Sequence, residues 1–383
     1  MSAMRKAGFK YFLILFLSVG LIGCIDTSVG EEGGDKIFID PEGAEKKDAA
    51  EFFESLELIP LELTQESALK LPSRVVEHNG CFYILDRSVF SVLKFTKKGK
   101  YLQTIQHLGH GPFEYNLLED MTINPYTGHL EMLDPTGKII VYDLDRKSFI
   151  EEYKLPFHSE LRSVHNIICL NADTSLIHSS YSRNQLHWFS KSKGEFLFSD
   201  FPRRFRIARS IMSPLREANG QIYFMDIDQN KIHQIIGTEH KVFRQYDFGD
   251  HDLSRFVRSN PKIFVSQYGF SDDETENLVE EYNLVYPLSN YFFTNNTVQF
   301  MYQNSPRIYH SDHEGLYQMK SSFDGVPLGW EQGAHIYGMI FHAENYRNSI
   351  HPKFMTPENK KVLDQWQEGD NIILMKFSIN HPS

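Results

Sequence analysis

Four groups of residues have types and spacings that could do chemistry. Asp86, Asp134 and Asp226 each close an apolar run, and their recurrence could place carboxylates around one mouth of a ring, where they would attract a cation. An aspartate at a strand end also takes backbone N–H bonds in the turn that follows. That reading is favoured, because the equivalent positions in the other runs hold Ser180 and Tyr302 and no complete carboxylate ring results. Gly109-His110-Gly111-Pro112-Phe113-Glu114-Tyr115 is a loop, with Glu114 the residue expected to tie it down. Arg203, Arg204, Arg206 and Arg209 form a basic cluster that could grip an anionic glycan or lipid headgroup, or could be a solvated loop paired with nearby acids. Histidine is abundant, at 17 residues, but the pairs His107/His110 and His310/His313 lack a third ligand at useful spacing, so no metal is expected. A G-x-S-x-G elbow and a P-loop are both absent. A His–Asp pair assembled from distant loops stays open, and no catalytic residue is assigned.

The first residues are an address. Arg5, Lys6 and Lys10 precede an almost wholly apolar stretch from Tyr11 to Ile22, shorter than the roughly 20 residues of a spanning helix. Leu21-Ile22-Gly23-Cys24 resembles a bacterial lipobox, in which Cys24 would be lipidated after cleavage before it. Residues 1–23 are therefore expected to be a signal peptide, and residues 24–35, small and acidic, a flexible tether. Two or more acyl chains would give stable anchoring. The implied place is the outer membrane, facing either the periplasm or the outside. The formal charge of −11 falls to −14 without the signal's three positive charges, which argues against nucleic acid as a partner. Cys81 and Cys169 both lie in apolar runs and are expected to act as small buried hydrophobes, not as a disulfide.

The elements that would position these groups repeat. Apolar runs end at 86, 134, 180, 226 and 302, and six residues after each end an aliphatic residue opens the next strand: Val92, Ile140, Leu186, Ile232 and Ile308. Hairpin turns follow at Gly99, Gly194 and Gly315, and helical periodicity is nearly absent. A period near 45 residues, with four short strands per unit, matches a propeller blade. The widest gap, 76 positions, contains an insertion at about 250–290, where residues 271–282 suit a short helix. A last unit has strands at 335–342 and 371–377 and a helix opened by Thr356-Pro357. Leu56 to Leu63 would complete it from the other end of the chain, removing the open edges of the ring. The expectation is an all-β, six-bladed β-propeller over residues 36–383, its last blade closed by the N- and C-terminal strands.

Through Phe53 to Glu62, Gly109 to Tyr115 and Asp370 to Leu374, the chain resembles the six-bladed β-propeller lipoproteins of Bacteroidota, similar in architecture to NHL-repeat and TolB-like propellers. Phe53-Glu54-Ser55-Leu56-Glu57-Leu58-Ile59-Pro60-Leu61-Glu62 resembles the opening strand of that family. Gly109 to Tyr115 resembles its G-x-G-P-x-E-[FY] signature, with His107-Leu108 in place of the usual pair before the glycine, and Asp370-Asn371-Ile372-Ile373-Leu374 resembles its ending. The resemblance covers about residues 36–380 and implies fold and location more than activity. The function expected is a non-enzymatic binding or scaffold lipoprotein without a cofactor, whose partner is an envelope protein or a glycan. The alternatives are a lactonase-like hydrolase or lyase with a central divalent metal, and a glycan-binding accessory of a nutrient-uptake system.

Overall fold

The computed structural model describes residues 34–43, 53–156, 163–180, 182–203, 214–218, 220–226, 229–260, 272–285, 297–303, 305–310, 315–318, 328–332, 335–343 and 350–379. The chain divides into Met1–Glu32 and Gly33–Ser383, and everything below concerns the second unit.

The strands run in chain order. β1 (Asp35–Phe38) and β2 (Phe53–Pro60) come first. Blade one is β3 (Pro72–His78), β4 (Cys81–Asp86), β5 (Ser91–Thr96) and β6 (Tyr101–Ile105). Blade two is β7 (Asp120–Ile123), β8 (Leu130–Asp134), β9 (Lys138–Asp143) and β10 (Ser148–Lys154). Blade three is β11 (Asn166–Cys169), β12 (Thr174–His178), β13 (Asn184–Ser190) and β14 (Glu195–Pro202). Blade four is β15 (Leu215–Ala218), β16 (Gln221–Asp226), β17 (Lys231–Ile236) and β18 (Glu239–Asp247). Helices α1 (Leu253–Ser259) and α2 (Asp272–Glu281) follow, then a sheet of β19 (Thr297–Tyr302), β20 (Ser305–His310) and β21 (Gly315–Gln318). Blade five is β22 (Leu328–Gln332), β23 (His335–Ile340), β24 (Ile373–Ile379) and β2, with α3 (Pro357–Gln365) between β23 and β24.

The strands read as continuous apolar runs because both of their faces are buried. In β4, Phe82 and Ile84 pack toward blade five, with Tyr337, Met339 and Leu374. Tyr83 and Leu85 pack the other way, with Met121, Met132 and Ile140 of blade two. The alternation continues around the molecule: Leu133 and Ile139 meet Ile167, Ile177 and Phe189, and Leu176 and Trp188 meet Phe224 and Ile235. Each such side chain contributes roughly 1.5–3 kcal/mol when it leaves water. The blade-to-blade seams are therefore the core.

The structure corrects the expected number of blades from six to five. The innermost strands β3, β7, β11, β15 and β22 follow one another as neighbours, and β22 lies beside β3. The ring thus closes on five inner strands. The sheet β19–β21 has three strands among the described residues, and it packs through Phe300, Tyr302 and Tyr309 on Tyr223, Met225 and Ile232 of blade four. The face of blade five turned away from blade one is covered by Phe354 and by Leu363 and Trp366 of the α3 region.

Closure by the termini is as expected: β2 pairs antiparallel with β24, from Phe53↔Ile379 to Pro60↔Ile373. Thr356 caps α3 by accepting from Asn359 N–H, with Pro357 in the first turn. Tyr337 and Lys376 of blade five both bond Glu77 of blade one, which welds the closing seam. Strand β1 was not foreseen. It adds to blade four as a parallel fifth strand, with Asp35 opposite Arg244 and Phe38 opposite Asp247.

Candidate functional site

In an antiparallel sheet, the start of the first strand, the end of the second, the start of the third and the end of the fourth share one edge. The connections 106–119, 155–165, 203–214, 248–296 and 341–372 all leave from that edge, as do the turns after Asp86, Asp134 and Asp226. The three aspartates, the Gly109 to Tyr115 loop and Arg203 therefore lie on one edge of the ring. The opposite edge carries short turns, such as Asn79-Gly80 and Thr96 to Lys100.

The three aspartates serve the turns. Asp86 accepts from Lys70 N–H at 2.6 Å, from Leu71 N–H at 3.3 Å, and from Ser88 N–H and Oγ at 2.8 and 2.6 Å. Asp134 accepts from Thr136 N–H and Oγ1 at 2.8 and 2.7 Å. Asp226 differs, bonding two side chains: Gln229 Nε2 at 2.6 Å and Gln185 Nε2 at 3.4 Å.

Glu114 ties down its loop. Its Oε2 accepts Gly111 N–H at 2.6 Å, and Lys138 Nζ donates to its backbone oxygen at 2.7 Å. Gly109 has φ +147°, and a Cβ there would stand 2.1 Å from Glu114 Oε2, so the carboxylate occupies the space of the missing side chain. Gly109 N–H donates to Tyr115 O, and Tyr115 N–H donates to His107 O. The buried Tyr115 hydroxyl accepts His107 N–H at 3.3 Å. Phe113 N–H donates to Glu152 Oε2 of β10 at 2.8 Å, so the loop is held both by its own groups and by blade two.

Arg203 lies inside the described residues, while Arg204, Arg206, Arg209 and Cys24 lie outside them. The Arg203 Nη2 donates to Ser179 O at 3.3 Å and to Gln185 Oε1 at 3.5 Å. Since Gln185 also holds Asp226, Arg203 and the recurring aspartate meet through one glutamine.

Beside them stands a cluster that spacing alone did not reveal. Arg87 Nη2 bonds Glu119 Oε2 at 2.7 Å. Glu119 Oε1 lies 3.4 Å from His165 Nδ1, and His165 Nε2 lies 3.3 Å from Ser163 Oγ. Ser163 is held at φ +51°, a left-handed conformation uncommon for serine, and its backbone oxygen accepts Ser179 Oγ at 2.8 Å. Glu119 and His165 each immediately precede an inner strand, β7 and β11, and those strands are neighbours. Aligning the units on their first strands, instead of their second, places the two residues together.

Burial grades the electrostatics inward. His178 lies behind His165 and Arg203 and is pushed well below the ordinary imidazole range, first by burial and then by those two neighbours. Asp120 accepts Ile167 N–H at 3.0 Å and lies 3.7 Å from Arg74 Nε. Burial raises its pKa more than Arg74 lowers it. Glu217 of β15 is also raised by burial, against the pull of Arg74. The inner strands thus carry two carboxyls raised by burial, and the mouth carries paired charges. Among the described residues, no group of three or more His, Cys, Asp or Glu side chains is placed to hold a metal ion.

Residues 36–378 match the model of a domain of unknown function, DUF4934. The chain belongs to that family. No curated protein matches it. Among solved structures it is similar to an exported protein from Bacteroides fragilis, at 17% identity and a TM-score of 0.72, over 91% of this chain and all of the other. It is also similar to a DUF4221 member from Bacteroides vulgatus, at 11% identity and a TM-score of 0.45, over 86% and 98% of the two chains. At these identities the likeness concerns the fold.

Proposed function

We propose that this DUF4934 protein is an envelope lipoprotein, anchored at the outer membrane through Cys24, whose propeller is a non-enzymatic binding or scaffold module. The observation that carries the reading is the gathering of long connections and the Arg87, His165 and Arg203 cluster on one edge of a rigid ring. Rigid sheets with functional loops at one end suit recognition. The Arg87 and Arg203 guanidiniums there favour an anionic group on an envelope protein or glycan. The lipobox resemblance of Leu21 to Cys24, and the exported character of the Bacteroides fragilis relative, support the location.

The test is crosslinking in intact cells, followed by mass spectrometry of the attached proteins. An outer-membrane partner lost in Arg203→Glu, with the fold retained, supports the reading. A partner captured equally by wild type and variant removes the arginine from it. Cys24→Ala must release the chain from membranes if the anchor is right.

One arrangement favours a second reading, a hydrolase. Ser163, His165 and Glu119 stand in the order hydroxyl, imidazole, carboxylate, which is the order of a nucleophile, its base and the group that orients the base. A fluorophosphonate probe that labels wild type but not Ser163→Ala would establish it, and no labelling at Ser163 would leave the binding reading standing.

A further inference from the structure

The edge opposite the candidate site holds a buried reactive set. Lys191 follows β13 of blade three, Glu131 lies in β8 of blade two, and Asn124 follows β7. All three are buried, the lysine and glutamate side chains at 6% and 2% exposure. Lys191 Nζ donates to Glu131 Oε1 at 2.5 Å, and Asn124 Nδ2 donates to the same oxygen at 2.8 Å. Two donors sharing one acceptor oxygen at such lengths stand roughly 4 Å apart. Glu131 Oε2 accepts Ser175 Oγ at 3.3 Å, which fixes the carboxylate from its other side. Asn124 Oδ1 accepts Tyr126 N–H at 2.9 Å, so its carbonyl is already polarised by a backbone donor. An amine, a carboxamide and a carboxylate that can carry protons between them are thus packed together away from water.

We propose that Lys191 and Asn124 form an intramolecular isopeptide bond, with Glu131 as the proton carrier. Lys191 Nζ gives a proton to Glu131 Oε1 across their 2.5 Å contact, which frees the amine lone pair for attack. The Nζ lone pair attacks Asn124 Cγ, and the Tyr126 N–H holds the charge that develops on Oδ1. Glu131 returns its proton to Nδ2. The Cγ–Nδ2 bond breaks and ammonia leaves. The surplus proton on Nζ follows through Glu131 to the departing ammonia, so ammonium is released and the carboxylate is restored. No oxidant, metal or second substrate is consumed. Holding the reactants together replaces the activation that an amide otherwise requires. The product is a covalent staple between blades two and three, on the edge away from the proposed binding cluster.

The full chain, purified from cells and digested under denaturing conditions, provides the test. The expected result is a branched peptide joining the Asn124 and Lys191 segments, lighter than their sum by one ammonia. Asn124→Ala and Glu131→Gln should each yield the two segments unjoined. Recovery of both segments unjoined from wild-type protein overturns the proposal, and this measurement needs no variant to fold. Hydrolysis of Asn124 to aspartate in an unjoined peptide, read as a small gain in mass, also overturns it, since water and not the Lys191 amine would then have displaced the ammonia.

Discussion

The two edges of the ring are built from the same strands and solve opposite problems. On one edge the chain crosses between blades, so its connections are long and polar. Its ion pairs there are half in water: the Arg87 and Glu119 side chains are 36% and 16% exposed. On the other edge the chain only reverses direction, so the turns are short and the seam between blades can close over polar side chains. There Lys191 and Glu131 are almost fully enclosed. The comparison teaches that the topology decides which charges stay available to a ligand and which become part of the core.

The comparison can be broken most directly by truncating one charge on each edge. Lys191→Ala removes the nitrogen that bonds the buried Glu131 carboxylate and should cost about 3–5 kcal/mol, whereas Arg87→Ala should cost about 0–1 kcal/mol. Urea melts of the two variants would read the difference, and equal costs would erase the distinction. A smaller contrast comes from glycines. Gly109→Ala combines a positive φ with a collision against Glu114 and should cost about 1–3 kcal/mol. Gly128→Ala, on the short-turn edge, also has a positive φ but meets nothing within 4 Å, and should cost about 1 kcal/mol.

The closing seam adds a pH test. Burial alone would raise Glu77, but Lys376, Lys97 and Tyr337 together hold it at about 2. A carboxylate lowered in the folded state stabilises the fold above its unfolded pKa, and that contribution fades as pH falls through the folded value. Stability should therefore drop between about pH 4.5 and pH 2, and Glu77→Gln should flatten that part of the profile. Thermal melts across that range check it. The smallest effect concerns the thiols: a thiol reagent should modify Cys81, which is partly exposed, well before Cys169, which is buried and raised far above its ordinary value, chiefly by burial. Neither cysteine is in a disulfide.

Much of the fold was legible in the residues because both faces of each strand are buried, so Phe82 to Leu85 and Ile222 to Met225 stand out as apolar runs. The aspartate turns, the pairing of the termini, α2 and the cap of α3 follow from local chemistry. The blade count did not, because the repeat marks second and third strands. Val298 to Tyr302 and Ile308 satisfy it, yet the ring is counted by first strands, and β15 meets β22 directly. Strand β1 was hidden for another reason: it is four residues long and docks by backbone bonds, which leave no pattern in side-chain types. The Glu119–His165 contact was hidden because 46 positions separate the two residues, and only the adjacency of β7 and β11 joins them.

The pairing of β2 with β24 also sets an order of events. Pro60 meets Ile373, so a strand made early must wait for one made more than 300 residues later. During that wait, Leu56, Leu58 and Ile59 have no blade to enter, although blades one to four can already stack on one another. Until its last strand is in place the chain therefore carries an unsatisfied apolar strand near its leading end, and a holdase that shields that strand would act on a state that only closure of blade five ends.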